Sequence, residues 1–253
     1  MPKVIAIAGK GGVGKTTIGG MLVRYIVEEI KDGPVLAVDV DPNSNLNEVL
    51  GVKVHTTIGD ARELMKKDVP QGITKDVWFE YKVHEAIIEG KGFDLLVMGR
   101  PEGPGCYCAA NSLAKKYIDV LKDSYTYIVV DNEAGMEHIS RLVTQDVDGL
   151  YVISDATPRG ILTASRIFDL IKELHLNIKE RYTIINRVKE EESNSLREVA
   201  MQKGIEITGM VRDDKEVWKG DLAGETIFSL SKSSHALADA YSIFEKTLKG
   251  RDS

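Results

Sequence analysis

Residues 9–17, Gly9-Lys10-Gly11-Gly12-Val13-Gly14-Lys15-Thr16-Thr17, decide how the rest of the chain is read. Before them stands a short apolar run, Val4–Ala8, that reads as a buried strand. After them Ile18–Ile30 reads as a helix. Strand, glycine-rich turn and helix form the setting that a phosphate-binding loop requires. Gly9, four residues, then Gly14-Lys15-Thr16 meets the Walker A spacing. The glycines let successive backbone N–H groups converge on phosphate oxygens with no Cβ in the way. The N-terminus of the following helix adds partial positive charge. On this reading Lys15 reaches the β- and γ-phosphates and the Thr16 hydroxyl ligates Mg²⁺. An ordinary glycine turn is the alternative, disfavoured because every fixed position is met in the right context.

At 253 residues the chain is long enough to bury a full core as one α/β domain, 1–253. Its 43% hydrophobic and 28% charged residues are ordinary globular values. A net charge of −6 argues against broad nucleic-acid binding, which needs a basic face. No stretch approaches the ~18 apolar residues of a transmembrane helix. The first residues do not read as a signal peptide, because the apolar run after Lys3 is short and leads straight into the phosphate loop. The two cysteines fit no secreted disulfide framework. A cytoplasmic protein with no membrane or nucleic-acid partner is the expectation.

Further along, Pro34–Asp39 reads as a second buried strand running into Asp39-Val40-Asp41-Pro42-Asn43. Two carboxylates at i and i+2 on a strand end point the same way. Ser44–Leu50 reads as a short helix ended by Gly51. Residues 52–92 are the least regular, with helical apolar spacing over Thr57–Lys67 and Tyr81–Glu89. Trp78, Phe79 and Tyr81 read there as local packing. A third strand, Phe93–Met98, precedes a Gly/Pro-rich loop that carries Cys106 and Cys108, and the helix Ala109–Leu121 follows. A helix N-terminus lowers a thiol pKa and favours the metal-binding thiolate. Two thiolates cannot complete a four-coordinate site, but a twofold axis through this loop would bring four together. Soft thiolates suit Ni²⁺, Zn²⁺, Cu⁺ or an Fe–S cluster, and two structural cysteines near a turn are the plain alternative.

Thr126–Asp131 reads as a fourth strand and as a Walker B, with Asp131 holding Mg²⁺ through water. Gly149–Ser154, Arg181–Asn186 and Ile205–Val211 complete seven strands, with a helix at Gly160–Leu174. Leu237, Tyr241, Phe244 and Leu248 fall on one helical face, which suits packing on a sheet. Alternating strands and helices predict a mostly parallel sheet with helices on both faces.

Lys10, directly after the first glycine, makes the loop resemble the deviant Walker A of the MinD/ParA/nitrogenase iron protein class. That resemblance implies a single-domain P-loop NTPase with strand order 3-2-4-1-5-6-7 and sites at the C-terminal strand ends. It implies ATP/ADP bound along Gly9–Thr17, and a homodimer in which Lys10 touches the nucleotide of the other subunit. Asp41, before the proline, then lies in switch I and positions or activates the attacking water near Mg²⁺, with Asp39 in support, so that Asp39 and Asp41 join Thr16 and Asp131 as the expected magnesium residues. Asn132-Glu133-Ala134-Gly135 resembles switch II, whose Gly135 N–H contacts the γ-phosphate. Asn186-Arg187-Val188 resembles the adenine site. Arg212-Asp213-Asp214 is a weaker match, because the usual proline is absent.

Two further stretches, Gly105–Ser112 (GCYCAANS) and Ala134–Arg141 (AGMEHISR), resemble the CooC-type accessory ATPases, which include an AcsF branch. This implies an ATP-dependent nickel-insertion factor for carbon monoxide dehydrogenase or acetyl-CoA synthase. Cys106 and Cys108 would bind nickel or zinc at a dimer interface gated by nucleotide and metal. The alternative is an Fe–S carrier or a reductase resembling the nitrogenase iron protein. That class places a second cysteine after switch II, and Asn132–Arg141 contains none.

Overall fold

The computed structural model describes residues 1–67, 69–99, 115–135 and 146–249. The chain builds one eight-stranded sheet in the order β3-β4-β2-β5-β1-β6-β7-β8. Its strands are β1 (Lys3–Gly9), β2 (Val35–Asp39), β3 (Ile88–Glu89), β4 (Asp94–Val97), β5 (Tyr127–Asp131), β6 (Asp146–Asp155), β7 (Asn177–Val188) and β8 (Gly209–Arg212). Without β3 the order is the expected 3-2-4-1-5-6-7, and those seven strands pair in parallel. The eighth strand is a correction. Ile88–Glu89 pairs antiparallel with β4 at the sheet edge, where helical spacing over Tyr81–Glu89 had predicted helix. The helix in that region spans Lys75–Glu85 instead, capped by the Thr74 side chain, which accepts from Val77 N. A two-residue strand is too short to leave a period in the sequence.

The central strands are buried on both sides, so they read as unbroken apolar runs rather than alternating ones. Odd and even residues nevertheless part to opposite faces. Ile5, Ile7, Ala37, Val97, Val129 and Ile153 pack against helix α1 (Lys15–Tyr25) and the C-terminal helix His235–Leu248. Ala6 and Ala8 turn the other way, towards the helix Pro158–Glu173, and Leu36, Val38 and Val130 towards Ile58, Val83 and Tyr117. The predicted face of the C-terminal helix is inward, with Leu237 and Phe244 buried and Tyr241 and Leu248 packed at its margin. Tyr241 meets the Tyr25 ring edge-on at 4.9 Å. Trp78 stacks on Tyr81 at 5.3 Å, and Phe79 meets Tyr117 edge-on at 4.8 Å, the local packing expected of these aromatics.

Arg24 is a charged side chain inside this core, 3% exposed. It donates to Glu28 Oε1 at 3.0 Å and to the carbonyls of Ile227 and Leu230 at 2.7 and 2.8 Å. A buried guanidinium is tolerated only when its donors are met in this way. The result ties the 227–230 segment to α1. No helix among the described residues is long and apolar enough to cross a membrane.

Candidate functional site

The phosphate-loop sequence sits between β1 and α1, at the C-terminal edge of the sheet. Gly14 is the residue before α1 and has φ 90, the left-handed region that side chains disfavour. A Cβ there would also lie 2.4 Å from Asn186 Nδ2. Gly12 has φ 79 but open space around it. The two glycines therefore separate backbone strain from crowding. Gly12→Ala should cost about 1 kcal/mol, whereas Gly14→Ala should cost more, about 2–3 kcal/mol, and displace Asn186. Thermal melts of both variants, with and without Mg-ATP, check this; equal losses would remove the clash from the account.

Lys15 is buried beneath the loop, 7% exposed, and its Nζ donates to Lys10 O at 3.4 Å. Burial lowers its pKa, while Asp131, Asp41 and Glu133 pull it back up. One cation thus faces three acidic side chains at the strand ends. Gly11 approaches the segment after β5, since a Cβ on it would lie 3.6 Å from that of Ala134.

Asp131 ends β5 at 1% exposure, and its Oδ1 has no hydrogen-bond partner. Burial raises its pKa to about 6, with Thr16 and Lys15 acting against the rise. A buried carboxylate oxygen left without a donor beside a P-loop threonine is a fitting place for a hard cation. Mg²⁺ is commonly held by one or two protein groups plus phosphates and water. Among the described residues, no group of three or more His, Cys, Asp or Glu could hold a metal by itself.

Asp39 pairs in register with Asp131 across β2 and β5 and is fully buried. Its pKa is raised to about 7, chiefly by burial and next by Asp131. The Mg²⁺ expectation for Asp39 meets a different arrangement. Its Oδ1 accepts from Asp41 N and its Oδ2 from Leu46 N, both at 3.0 Å. Asp39 therefore shapes the turn that presents Asp41 and starts the short helix Leu46–Leu50. Asp41 is half-buried, and its Oδ1 accepts from Asn43 N at 2.8 Å.

Asn132 is likewise committed, donating to Ile7 O at 2.9 Å. Gly135 has φ 127, a conformation that favours glycine. Asn186 and Arg187 reach the phosphate loop from the end of β7. Asn186 Nδ2 donates to Val13 O at 2.9 Å, and an Arg187 guanidinium nitrogen donates to Gly12 O at 3.2 Å. The pairing of β7 with β8 shifts register between Asn186 and Val188, and Arg187 between them has φ 57. This bulge turns the guanidinium back over the loop.

A cleft of about 800 Å³ opens beside Thr16 and Thr17 and takes in Asn186, Arg187 and Arg212–Asp214. Its far wall is the helix Lys215–Ala223 with Ile227 and Leu230, none of it expected from the sequence. Trp218 in that helix is 63% exposed, and the sequence reading that came nearest to this wall was the weaker match at Arg212-Asp213-Asp214. Asp214 shapes this wall: it accepts from Glu216 N at 2.8 Å, Ser234 Oγ at 2.7 Å and Ala236 N at 3.1 Å. Cys106 and Cys108 lie outside the described residues.

Comparison with known proteins agrees with this geometry. The sequence pattern of the CobQ/CobB/MinD/ParA nucleotide-binding domain matches residues 4–227. An uncharacterized ATP-binding protein of Methanocaldococcus jannaschii is 41% identical over 250 residues, 97% of this chain and 98% of that protein. The carbon monoxide dehydrogenase accessory protein CooC of Rhodospirillum rubrum is 30% identical over 260 residues, covering 93% of this chain and 95% of CooC. Among solved structures, the septum site-determining protein MinD of Pyrococcus horikoshii, complexed with Mg-ADP, superposes with a TM-score of 0.72 at 20% identity. That match covers 100% of this chain and 98% of MinD.

Proposed function

This chain belongs to the CobQ/CobB/MinD/ParA nucleotide-binding family, and from that premise we propose that it is an ATP-dependent nickel-insertion factor serving carbon monoxide dehydrogenase or acetyl-CoA synthase. The observation that carries the nickel reading is the relationship to CooC, 30% identical over 93% of this chain. The Cys106-x-Cys108 pair, in a chain with only two cysteines, supports it. The whole chain, 1–253, acts as one nucleotide-driven unit.

In this reading ATP lies along Gly9–Thr17, with its base directed into the cleft beyond Thr17. Lys15 neutralises the β- and γ-phosphates from below, its charge maintained by Asp131, Asp41 and Glu133. Thr16 and Asp131 hold Mg²⁺, which supplies charge neutralisation on the phosphates when bound. Asp41 orients the attacking water and takes its proton. Asp39 holds Asp41 in place through the Asp41 backbone. Gly135 senses the γ-phosphate, and Ala134 beside Gly11 links that sensor to the loop. Lys10 crosses to the nucleotide of a second copy, so ATP favours a homodimer. Asn186 and Arg187 brace the loop carbonyls.

Nickel is the cargo, bound by Cys106 and Cys108 of two copies together. Two thiolates per chain and four per closed site mean one ion per dimer. Titration of Ni²⁺ or Zn²⁺, followed by thiolate-to-metal absorbance, is expected to saturate at about 0.5 ion per chain and to shift monomer to dimer. Changing both cysteines to serine is expected to abolish both effects. Saturation at one ion per chain would reject the shared site. A 4Fe–4S cluster in anaerobically purified protein would favour the iron-protein-like reading.

A further inference from the structure

We infer that Trp218 is the stacking surface for the nucleobase, so that the helix Lys215–Ala223 reads the base end of the nucleotide. The inference rests on the ATP-binding reading above and adds a residue to it. Three observations carry it.

The first is continuity. Trp218 lines the same cleft as Thr16 and Thr17, so a ligand seated on the phosphate loop has an open path to the indole. The second is the change of chemistry along that path. The loop end is polar, with Thr16, Thr17, Asn186 and Arg187, whereas the far end gathers Val217, Trp218, Ile227 and Leu230. A nucleotide has the same gradient, from charged phosphates to a flat base with an apolar π-face. Arg187 keeps its charge at the loop, donating to Gly12 O. Arg212, further out, is engaged by Asp239 through two 2.7 Å bonds. The remaining charged lining at the far end is acidic, Asp213, Asp221 and Glu225 among it. That lining repels a second phosphate and accepts hydrogen bonds from the amino and hydroxyl groups of a nucleoside.

The third observation is how the helix is held. It contains no buried residue, and its tryptophan is 63% exposed. Trp218 and Leu222, four residues apart on this helix, are 63% and 74% exposed, an apolar pair on one side of it rather than a single exposed side chain. The ends are fixed, and from the middle of the helix Val217 packs against the core. Asp214 ties the N-terminal end to Ser234 and Ala236, and Glu225 N donates to Gly220 O at 2.8 Å at the other. The indole is therefore presented at a set position with room for a flat ligand beside it.

The test separates base from phosphate. Trp218→Ala is expected to weaken ATP and ADP binding by about tenfold, the order of a base–aromatic stack. Binding of inorganic tripolyphosphate, which has no base, should stay unchanged. Trp218→Phe should retain most of the affinity. In a Trp78→Phe background Trp218 is the sole tryptophan, and its fluorescence should change on adding ATP but not tripolyphosphate. If wild type binds ATP and Trp218→Ala binds it equally well, the inference fails and the ATPase reading stands. Equal losses for ATP and tripolyphosphate would likewise reject stacking. A wild type that binds no ATP would overturn both.

Discussion

Asp41→Ala is expected to bind ATP and to hydrolyse it at least ~10²-fold more slowly, the usual scale for losing a positioned base or water-orienting group. The expectation follows from how the two carboxylates of the β2 turn divide the work. Asp39 is sealed in the core with both oxygens committed to backbone N–H groups. Asp41 is presented by that turn, half-buried and close enough to Lys15 to raise its pKa. Removing the Asp41 side chain deletes one hydrogen bond, to Asn43 N, at an exposed position, so folding should change little. Binding should survive because, in the proposed reading, loop N–H groups and Lys15 hold the phosphates. Asp41→Asn is the sharper companion, since it keeps an acceptor for Asn43 N yet cannot take a proton. Single-turnover hydrolysis beside equilibrium ATP binding checks both variants. Turnover like wild type in Asp41→Asn would reject proton transfer to Asp41, and the same result in Asp41→Ala would assign Asp41 to the turn alone.

Asp131→Asn is expected to give a protein that is more stable without ligand and no longer stabilised by Mg²⁺ with ATP. Asp131 is fully buried with one oxygen lacking a donor, and burial raises its pKa to about 6. The sign of the pH effect follows from proton counts. Between about pH 4 and 6 the native carboxyl holds a proton that the unfolded chain has released. In ligand-free protein this group's contribution is therefore complete below about pH 4 and falls as pH rises through 6. Asp39, raised to about 7, acts in the same direction over a slightly wider window. An asparagine at 131 does not titrate, so its stability advantage over wild type should grow from pH 4.5 to 7.5. It should reach on the order of 1–3 kcal/mol, given 1.4 kcal/mol per pKa unit. Denaturant unfolding at the two pH values, with EDTA and then with Mg-ATP, measures both effects. A gap that does not grow with pH would mean that Asp131 is already satisfied without a cation. Such a trade, stability given up for a charged site, is common where function needs a buried carboxylate.

Much of this molecule is legible in the sequence because the features concerned are local. The Gly9–Thr17 spacing, the apolar runs of the parallel strands and the single face of Leu237, Tyr241, Phe244 and Leu248 all depend on neighbours within a few residues. Helix and strand periods record such neighbours directly. The strand order came with the resemblance in that loop, and the sheet bears it out. What tertiary structure alone decided depends on groups far apart in the chain. Asp39 and Asp41 look alike in sequence, yet only contacts with Leu46 N and the pairing with Asp131 make one structural and leave the other presented. Asn186 and Arg187 reach Val13 and Gly12 across more than 170 positions, through a bulge that no local pattern announces. The far wall of the cleft joins residues 16–17 to 212–230, held in place by Arg24 on the carbonyls of Ile227 and Leu230. A buried side chain's partners are set by which segments the core brings together, and the sequence states each segment without stating its neighbours.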